Sequence, residues 1–142
     1  NEVSYNRAAG QEYTFYECLK MESIIIYEGV EVIGDNAFWN CYELKSLSLP
    51  NSLIKIDDCA FTNCHKLENL VLPKNLTYIG NQAFNSIDSL YEVIIPLSVT
   101  YIGESAFSEL QRLTIYCEAD SQPEKWSPIW TTNPNVVWGY SK

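Results

Sequence analysis

Residues 28 to 50 read EGVEVIGDNAFWNCYELKSLSLP, and the same pattern returns in residues 51 to 73 (NSLIKIDDCAFTNCHKLENLVLP) and 74 to 96 (KNLTYIGNQAFNSIDSLYEVIIP). The units are equal in length, with an Ala-Phe pair near the middle and a proline at the end. The positions that fix this register are Ala37, Ala60, Ala83 and Ala106, the phenylalanines that follow them (Phe38, Phe61, Phe84 and Phe107), and Pro50, Pro73 and Pro96. A constant period of about 20 to 50 residues is typical of a solenoid.

Each unit is predicted to contain two extended segments and one compact turn. Residues 46 to 49 alternate serine and leucine, which is the period-two signature of a strand with Leu47 and Leu49 inward. A shorter extended stretch precedes the Ala-Phe pair, and we predict a short helical turn between the two segments. Alanine lets this turn approach the sheet closely, and stacked phenylalanine rings fill the core. The predicted fold is a right-handed coil with parallel β-sheets and one strand per sheet in every turn of the coil.

The repeat register divides the chain into three parts. Residues 1–27 form an N-terminal segment with a partial repeat, residues 28–117 form four repeats, and residues 118–142 form a C-terminal cap. The last part breaks the pattern and contains Trp126, Trp130 and Trp138. Because a solenoid must cover the open end of its core, we predict that these tryptophans plug the last repeat. An aromatic platform for sugars is the alternative use of the same residues.

Two consecutive repeat positions, both just before the predicted turn, have their own residue patterns. Gly34, Gly80 and Gly103 share one position with Asp57, and we predict a positive φ there. The next position is a polar ladder of Asp35, Asp58, Asn81 and Glu104. Such side chains can cap a helix by accepting hydrogen bonds from its free N–H groups, or carboxylates on neighbouring repeats could hold calcium. We favour capping, because the Gly-Gly-x-Gly-x-Asp pattern of calcium-binding repeats is absent.

The five cysteines are predicted to be free thiols without a bound metal. Cys18, Cys41 and Cys64 share one repeat position, so their side chains should point the same way on successive turns of the coil. Strands about 4.8 Å apart keep such parallel side chains farther apart than the Cβ separation of about 3.8 Å in a disulfide. We therefore predict buried thiols that act as small hydrophobic side chains, and a more accessible Cys59.

Composition argues against several classes of partner. Nine basic and eighteen acidic residues give a formal net charge of -9, so nucleic acid and anionic membrane surfaces would be repelled. No apolar run approaches the roughly 18 residues that a membrane span needs, and the chain does not open on a secretory leader pattern. Because the chain begins at Asn1 rather than Met, we expect a mature or excised piece of a longer protein.

Enzyme activity is not expected. His65 is the single histidine, and G-x-S-x-G, H-E-x-x-H and phosphate-loop motifs are absent. The adjacent Cys64 and His65 could suggest a nucleophile and its base, but neighbours in an extended chain point to different sides. We therefore predict no catalytic residue and no cofactor.

The unit I-G-x-x-A-F-x-x-C-x-x-L-x-x-L-x-L-P resembles the repeat of the BspA-like surface proteins, a bacterial branch of the leucine-rich-repeat superfamily. In the first complete unit the resemblance rests on Ile33-Gly34, Ala37-Phe38, Cys41, Leu44, Leu47, Leu49 and Pro50. Asp57 in place of Gly, and Ile87 and Leu110 in place of Cys, depart from it. The resemblance implies a leucine-rich-repeat solenoid, a location outside the cell or on its surface, and a role in adhesion to host proteins or other cells. It implies no catalytic residues.

The predicted binding surface is the outward face of the main sheet, formed by residues 46 to 49 and their equivalents. Side chains repeated about every 4.8 Å make a rigid surface that loses little entropy on binding. The predicted binding residues are Ser23, Ile25, Lys45, Ser46, Ser48, Glu68, Asn69, Val71, Tyr91, Glu92 and Ile94. This strip suits a protein or peptide ligand, including a host extracellular protein. The alternatives are a structural spacer in a larger surface protein and a carbohydrate-binding module that uses the tail aromatics.

Two further surfaces have their own sequence patterns, one on the second sheet and one at the N-terminal end. Tyr78 and Tyr101 share one repeat position on the second sheet and are predicted to stack, with Lys55 in the same column. We interpret this stack as cross-strand stabilisation rather than a sugar site. The N-terminal edge before Tyr13 has few apolar residues to cover it, and an uncovered edge strand promotes pairing. This edge is therefore a candidate for self-association.

Overall fold

A computed structural model describes residues 15 to 141 and shows a solenoid of parallel strands. Each turn of the coil is called a rung here: rung 1 comprises residues 15–27, rung 2 residues 28–50, rung 3 residues 51–73, rung 4 residues 74–96 and rung 5 residues 97–117. The main face of the coil, called the main sheet here, has two parts: one contains β1 (Ser23–Ile25) and β3 (Ser46–Ser48), and the other contains β6 (Glu92–Ile95), β8 (Thr114–Cys117) and β9 (Val136–Val137). The second sheet contains β2 (Val32–Ile33), β4 (Lys55–Ile56), β5 (Tyr78–Ile79) and β7 (Tyr101–Ile102). The predicted parallel solenoid is confirmed.

The register of the strands follows the repeat. In the second sheet the order is β2-β4-β5-β7, and Lys55 pairs with Tyr78, its equivalent in the next repeat. In the main sheet Ile24 pairs with Leu47, again its equivalent in the next repeat. Val93 pairs with Ile115, one position earlier than the strict repeat would place its partner, so the register shortens at rung 5.

The core is a spine of stacked phenylalanine rings, as the repeat predicted. Ring centroids of Phe15 and Phe38 lie 5.3 Å apart, those of Phe38 and Phe61 5.0 Å, those of Phe61 and Phe84 5.4 Å, and those of Phe84 and Phe107 5.2 Å. The alanine before each ring is fully buried from Ala37 onward. Large rings can repeat at this spacing because alanine leaves the backbone free to approach the sheet.

The prediction of short helical turns is wrong: residues 15 to 141 contain no helix. The chain instead makes successive tight turns, in which Ala37 N–H donates to Gly34 O at 3.3 Å and Cys41 N–H donates to Phe38 O at 3.3 Å. Alternate residues donate to the next rung, as Phe38 N–H does to Ala60 O at 2.8 Å. Two non-glycine positions in each of rungs 2 to 5 have positive φ, and they are occupied by Asn36, Cys59, Gln82 and Ser105 and by Asn40, Asn63, Ser86 and Glu109. These left-handed residues interrupt any helix.

The prediction of positive φ at Gly34, Gly80 and Gly103 is also wrong, because the positive-φ glycines of residues 15 to 141 are Gly29 and Gly139. Close packing between rungs explains Gly80 and Gly103 instead. A Cβ atom on Gly80 would lie 2.6 Å from the backbone nitrogen of Asp58, and one on Gly103 would lie 2.6 Å from that of Asn81. Both distances are shorter than a van der Waals contact, so a side chain there would push the rungs apart.

The polar ladder caps N–H groups, but those of the following rung and not those of a helix. Asp35 Oδ1 accepts from Asp58 N–H at 3.1 Å, Asp58 Oδ1 from Asn81 N–H at 2.8 Å, and Asn81 Oδ1 from Glu104 N–H at 2.8 Å. The predicted helix N-cap is therefore corrected to an inter-rung cap. Within residues 15 to 141, no group of three or more His, Cys, Asp or Glu side chains is arranged to hold a metal ion.

All five cysteines are free, and Cys41, Cys64 and Cys117 are buried. Cys64 Sγ donates to Phe38 O at 3.4 Å and Cys41 Sγ to Phe15 O at 3.3 Å, so each thiol points to the preceding rung. Burial raises the pKa of Cys41 to about 11 and that of Cys117 to about 12, because a thiolate is poorly solvated in an apolar environment. Cys18 differs from the prediction in being half-buried.

The C-terminal segment closes the core by adding a further turn. Trp130 lies one repeat length after Phe107, its ring is 6.1 Å away in an edge-on arrangement, and Phe107 N–H donates to Trp130 O at 3.0 Å. Trp126 and Trp130 are both 3% exposed. Asn133 Nδ2 donates to Leu110 O and Leu113 O, each at 2.7 Å. Trp126 and Trp130 therefore plug the end of the solenoid, as predicted, whereas Trp138 is only half-buried against their rings.

Candidate binding surface

The predicted binding residues lie on the outward face of the main sheet. Ten of the eleven are exposed, and Ile94 is half-buried. The register of β1 and β3 places Ser23 beside Ser46 and Ile25 beside Ser48. The candidate self-association edge before Tyr13 lies outside the described residues.

One column of this face is apolar along nearly its whole length. The register pairs Ile94 with Tyr116, and Tyr116 with Val137 of the cap. The full column is Ile25, Ser48, Val71, Ile94, Tyr116 and Val137. Ile25, Val71 and Val137 are 39%, 79% and 42% exposed. We call these six residues the apolar column.

Sequence reasoning missed the last two residues of the apolar column. One full repeat length after Ile94 is Cys117 and not Tyr116, and a second repeat length ends beyond Val137. A constant period therefore assigns neither Tyr116 nor Val137 to this column, although the strand register does. A signal was present, because residues 114 to 117 (TIYC) alternate in the same way as the earlier strands. The surface therefore extends from rung 1 onto the cap.

The main sheet is interrupted at rung 3, where one strand per rung was predicted. Residues 69 to 71 pair with neither β3 nor β6, so the sheet is split into β1-β3 and β6-β8-β9. Among residues 15 to 141, the main chain from Glu68 to Leu72 makes no hydrogen bond. A crevice of about 240 Å³ lies between this segment and β6. The interruption therefore places an opening in the middle of the apolar column.

Some of the charged side chains beside the outward face of the main sheet form ion pairs. Lys45 Nζ lies 2.9 Å from Glu22 Oε2 and Lys66 Nζ lies 2.6 Å from Glu43 Oε2, each pair joining successive rungs. The hydrogen bond from Lys45 lowers the pKa of Glu22. Glu68 and Glu92 are exposed, and neither forms an ion pair within residues 15 to 141. These two carboxylates remain available to a basic ligand.

The second sheet carries the predicted tyrosine stack. The rings of Tyr78 and Tyr101 lie 4.5 Å apart with an interplanar angle of 7°, and Lys55 Nζ lies 4.6 Å from the centre of the Tyr78 ring. Lys55 also lies 2.7 Å from Asp57 Oδ1. Burial, with Tyr101 beside it, raises the pKa of Tyr78 to about 12. Lys55 and Tyr101 occupy the space over the Tyr78 ring where a sugar would have to stack, so the arrangement favours cross-strand stabilisation.

Cys64 and His65 do not form a nucleophile and base pair. Cys64 is fully buried, and burial raises the pKa of its thiol. His65 Nδ1 lies 2.9 Å from Asp88 Oδ2, and its imidazole stacks on the Tyr42 ring at 5.5 Å. The two side chains therefore have separate environments, one in the core and one on the surface.

The stacked rungs, the leucine-bearing main strands and the aromatic cap define a leucine-rich-repeat solenoid. The sequence profile of the BspA type leucine rich repeat region matches residues 11–121 in six copies. The chain belongs to this family. No curated protein matches the chain at a significant level.

Solved structures show the same fold. A leucine rich repeat protein of T. pallidum is 33% identical, with a TM-score of 0.73, over 81% of this chain and 51% of that one. A leucine-rich repeat protein from Bacteroides ovatus is 35% identical, with a TM-score of 0.71, over 88% of this chain and 30% of that one. A leucine rich cell surface protein from Faecalibacterium prausnitzii is 28% identical, with a TM-score of 0.57, over 77% of this chain and 36% of that one. This chain thus spans about half of the first protein and less of the others.

Proposed function

We propose that the chain is a non-catalytic binding module that takes a protein or peptide ligand on the outward face of the main sheet. The observation that carries this proposal is the apolar column, which crosses the face from Ile25 to Val137 with three of its side chains at least 39% exposed. Apart from Ser48 every position of this column is apolar, and exposed apolar residues grouped on one face are a mark of interaction sites. The surface is built on stacked rungs, so its side chains are ordered before a ligand arrives.

The setting of this module is proposed to be the cell surface or the extracellular space, with adhesion as its role. Support comes from the family and from the F. prausnitzii structure, which is described as that of a leucine rich cell surface protein. The proposed setting rests on this likeness. No helix within residues 15 to 141 is both long and apolar enough to cross a membrane.

Sugar binding by the tail aromatics has less support. Trp126 and Trp130 are buried in the cap and contact each other edge-on, with ring centres 5.1 Å apart. Trp130 Nε1 also donates to Gln122 Oε1 at 3.3 Å. Trp126 and Trp130 fill the end of the core and present no face to a sugar, and the half-buried Trp138 packs against both rings.

The test compares two isoleucines of similar exposure on different faces. Ile25 is 39% exposed on the main sheet, and Ile54 is 43% exposed away from it, before β4. The chain and the variants Ile25→Asp and Ile54→Asp should be titrated against purified extracellular-matrix and host-surface proteins on a biosensor. We expect Ile25→Asp to weaken binding by about tenfold or more, as for a buried contact residue, and Ile54→Asp to have no effect.

The opposite ranking, with binding lost only in Ile54→Asp, would place the ligand site on another face. Failure of the unmodified chain to bind any protein of the panel would favour the structural spacer. Circular dichroism spectra and melting temperatures of both variants should match those of the unmodified chain, because both side chains point to solvent.

A further inference from the structure

The crevice at rung 3 reaches from the outer face into the core. Its walls are formed by Leu70, Val71, Leu72, Val93, Ile94 and Pro96. Leu70 and Leu72 are 6% and 7% exposed, whereas Val93 at the equivalent position of rung 4 is 1% exposed. On the rung 2 side, Leu47 and Leu49 are also only half-buried. An apolar opening of this kind accepts an apolar side chain, because transfer of that side chain out of water lowers the free energy.

Only the main-sheet side of rung 3 is open. On the turn side, Phe61 N–H donates to Ala83 O at 2.8 Å, which is the usual inter-rung bond. On the second sheet, Gly80 N–H donates to Ile56 O at 2.8 Å. Because rungs 3 and 4 are held together on two sides, the crevice is a wedge with a closed base and an open mouth. A side chain that enters through this mouth does not have to break the bonds on the other two sides.

The mouth of the crevice carries main-chain groups that can bind another main chain. Tyr91 O accepts from Thr114 N–H at 2.8 Å, and Ile95 O accepts from Glu118 N–H at 3.1 Å. Successive residues of a strand direct their N–H and C=O groups to alternate sides, so Glu92 and Ile94 direct theirs away from β8. This is the side of β6 that faces the crevice, because β6 is the edge strand of the sheet β6-β8-β9. Exposed edges of this kind bind extended peptides through main-chain hydrogen bonds.

Charge selects a basic ligand at one end of the crevice. The exposed carboxylates of Glu68 and Glu92 stand at the start of the two segments, and neither is neutralised by an ion pair within residues 15 to 141. At the other end, Lys74 and Glu118 both line the crevice and offset each other in charge. The formal net charge of -9 adds a general attraction for basic segments.

We infer that the crevice between rungs 3 and 4 is a subsite for an extended peptide segment that inserts an apolar side chain and carries a lysine or arginine nearby. The segment would lie across the mouth, bond through its main chain to Glu92 and Ile94, and place its basic residue against Glu68 and Glu92. This inference rests on the proposed function, since it specifies where on the main sheet the ligand is held and which ligand chemistry is recognised.

The test begins with linear peptides selected from a random library against the full chain. The selected peptides should share an apolar residue with a lysine or arginine close by. Val71→Asp should weaken their binding by about tenfold or more, and the 79% exposure of Val71 means that this change leaves the fold intact. Glu92→Gln should weaken binding about threefold or more, with a smaller effect at high salt. Ile25 lies two rungs away on the same column, beyond a short peptide held at the crevice, so Ile25→Asp should change the affinity for these peptides by less than about twofold. Its larger effect is expected for a whole protein ligand that covers the column from Ile25 to the cap.

A second measurement reports on the main chain directly. Hydrogen exchange followed by NMR should show the amide protons of Glu92 and Ile94 exchanging faster than those of Val93 and Ile95 in the free chain. Bound peptide should slow exchange at Glu92 and Ile94. No change there on saturation with peptide would overturn the proposed subsite.

The outcomes separate this inference from the proposed function. Peptide binding that is lost in Ile25→Asp but kept in Val71→Asp overturns the crevice and leaves the main sheet as the binding face. Peptide binding that is lost only in Ile54→Asp overturns both. A library that yields no binding peptide, together with concentration-dependent dimers abolished by Val71→Asp, overturns the peptide and identifies a second copy of the chain as the occupant.

Discussion

Phe61→Ala is the substitution that most directly perturbs the core spine. Phe61 is fully buried and stacks on Phe38 at 5.0 Å and on Phe84 at 5.4 Å. Truncating a buried phenylalanine costs roughly 3 to 5 kcal/mol, and the cost is larger where the surroundings cannot collapse into the cavity. Here the inter-rung bond from Phe61 N–H to Ala83 O fixes the spacing of the rungs. We therefore expect a loss of about 4 to 5 kcal/mol in the free energy of unfolding.

Urea denaturation followed by circular dichroism measures this loss. Tyr91→Ala is the control, because Tyr91 is 54% exposed and its removal leaves no cavity. The control should change the free energy of unfolding by no more than about 0.5 kcal/mol. A loss below about 1 kcal/mol for Phe61→Ala would refute the stacked spine, since truncating a buried aromatic side chain in a packed core costs roughly 3 kcal/mol or more in the free energy of unfolding.

Three further predictions follow from the cap, the thiols and the tyrosine stack. A chain truncated after Cys117 exposes the last ring of the spine, so we expect no cooperative melting transition, and a truncated chain that melts like the full one would contradict the capping role. Cys41 and Cys64 should be unreactive towards a thiol reagent until urea unfolds the chain, whereas half-buried Cys59 should react in the native state; a Cys41–Cys64 disulfide found by mass spectrometry in protein purified without oxidant would contradict this. The pKa of Tyr78 is raised to about 12 from the ordinary 10.0, so the folded state favours the neutral phenol. This contribution to the free energy of unfolding is complete below pH 10 and is lost as the pH rises towards 12. Tyr78→Phe should therefore remove this part of the alkaline destabilisation, as measured by urea titration at each pH.

The constant repeat length was sufficient to predict the register of the core. Phe38, Phe61 and Phe84 lie on one another because a solenoid repeats one backbone path, and side-chain position in the repeat then fixes position in space. The same repeat length leads from Phe107 to Trp130, whose ring continues the spine into the cap. Stacking on the second sheet was predictable for the same reason, because Tyr78 and Tyr101 share one repeat position.

Backbone detail was less predictable, because two physical demands can select the same residue type. Glycine serves both positive φ and close approach, and at Gly80 and Gly103 the second demand applies. Asn36 and Asn40 carry the positive φ instead, and asparagine tolerates that region. Two such residues so close together exclude a helix, although the Ala-Phe spacing alone allowed one.

The interruption of the main sheet could not be read from the sequence. Residues 69 to 72 (NLVL) have the same alternation as residues 46 to 49 (SLSL), yet only the second of these segments pairs with a neighbour. Pairing depends on the local spacing of rungs, which a repeat pattern leaves unspecified.

The most direct test of the binding face is site-specific photo-cross-linking. A photoreactive amino acid should be introduced at Ser48 on the main sheet and, in a separate variant, at Thr100 beside β7 on the second sheet; both side chains are exposed. After incubation with whole cells or purified extracellular proteins and irradiation, covalent adducts are counted by mass spectrometry. A defined adduct is expected from Ser48 and none from Thr100. Adducts from Thr100 alone would contradict it.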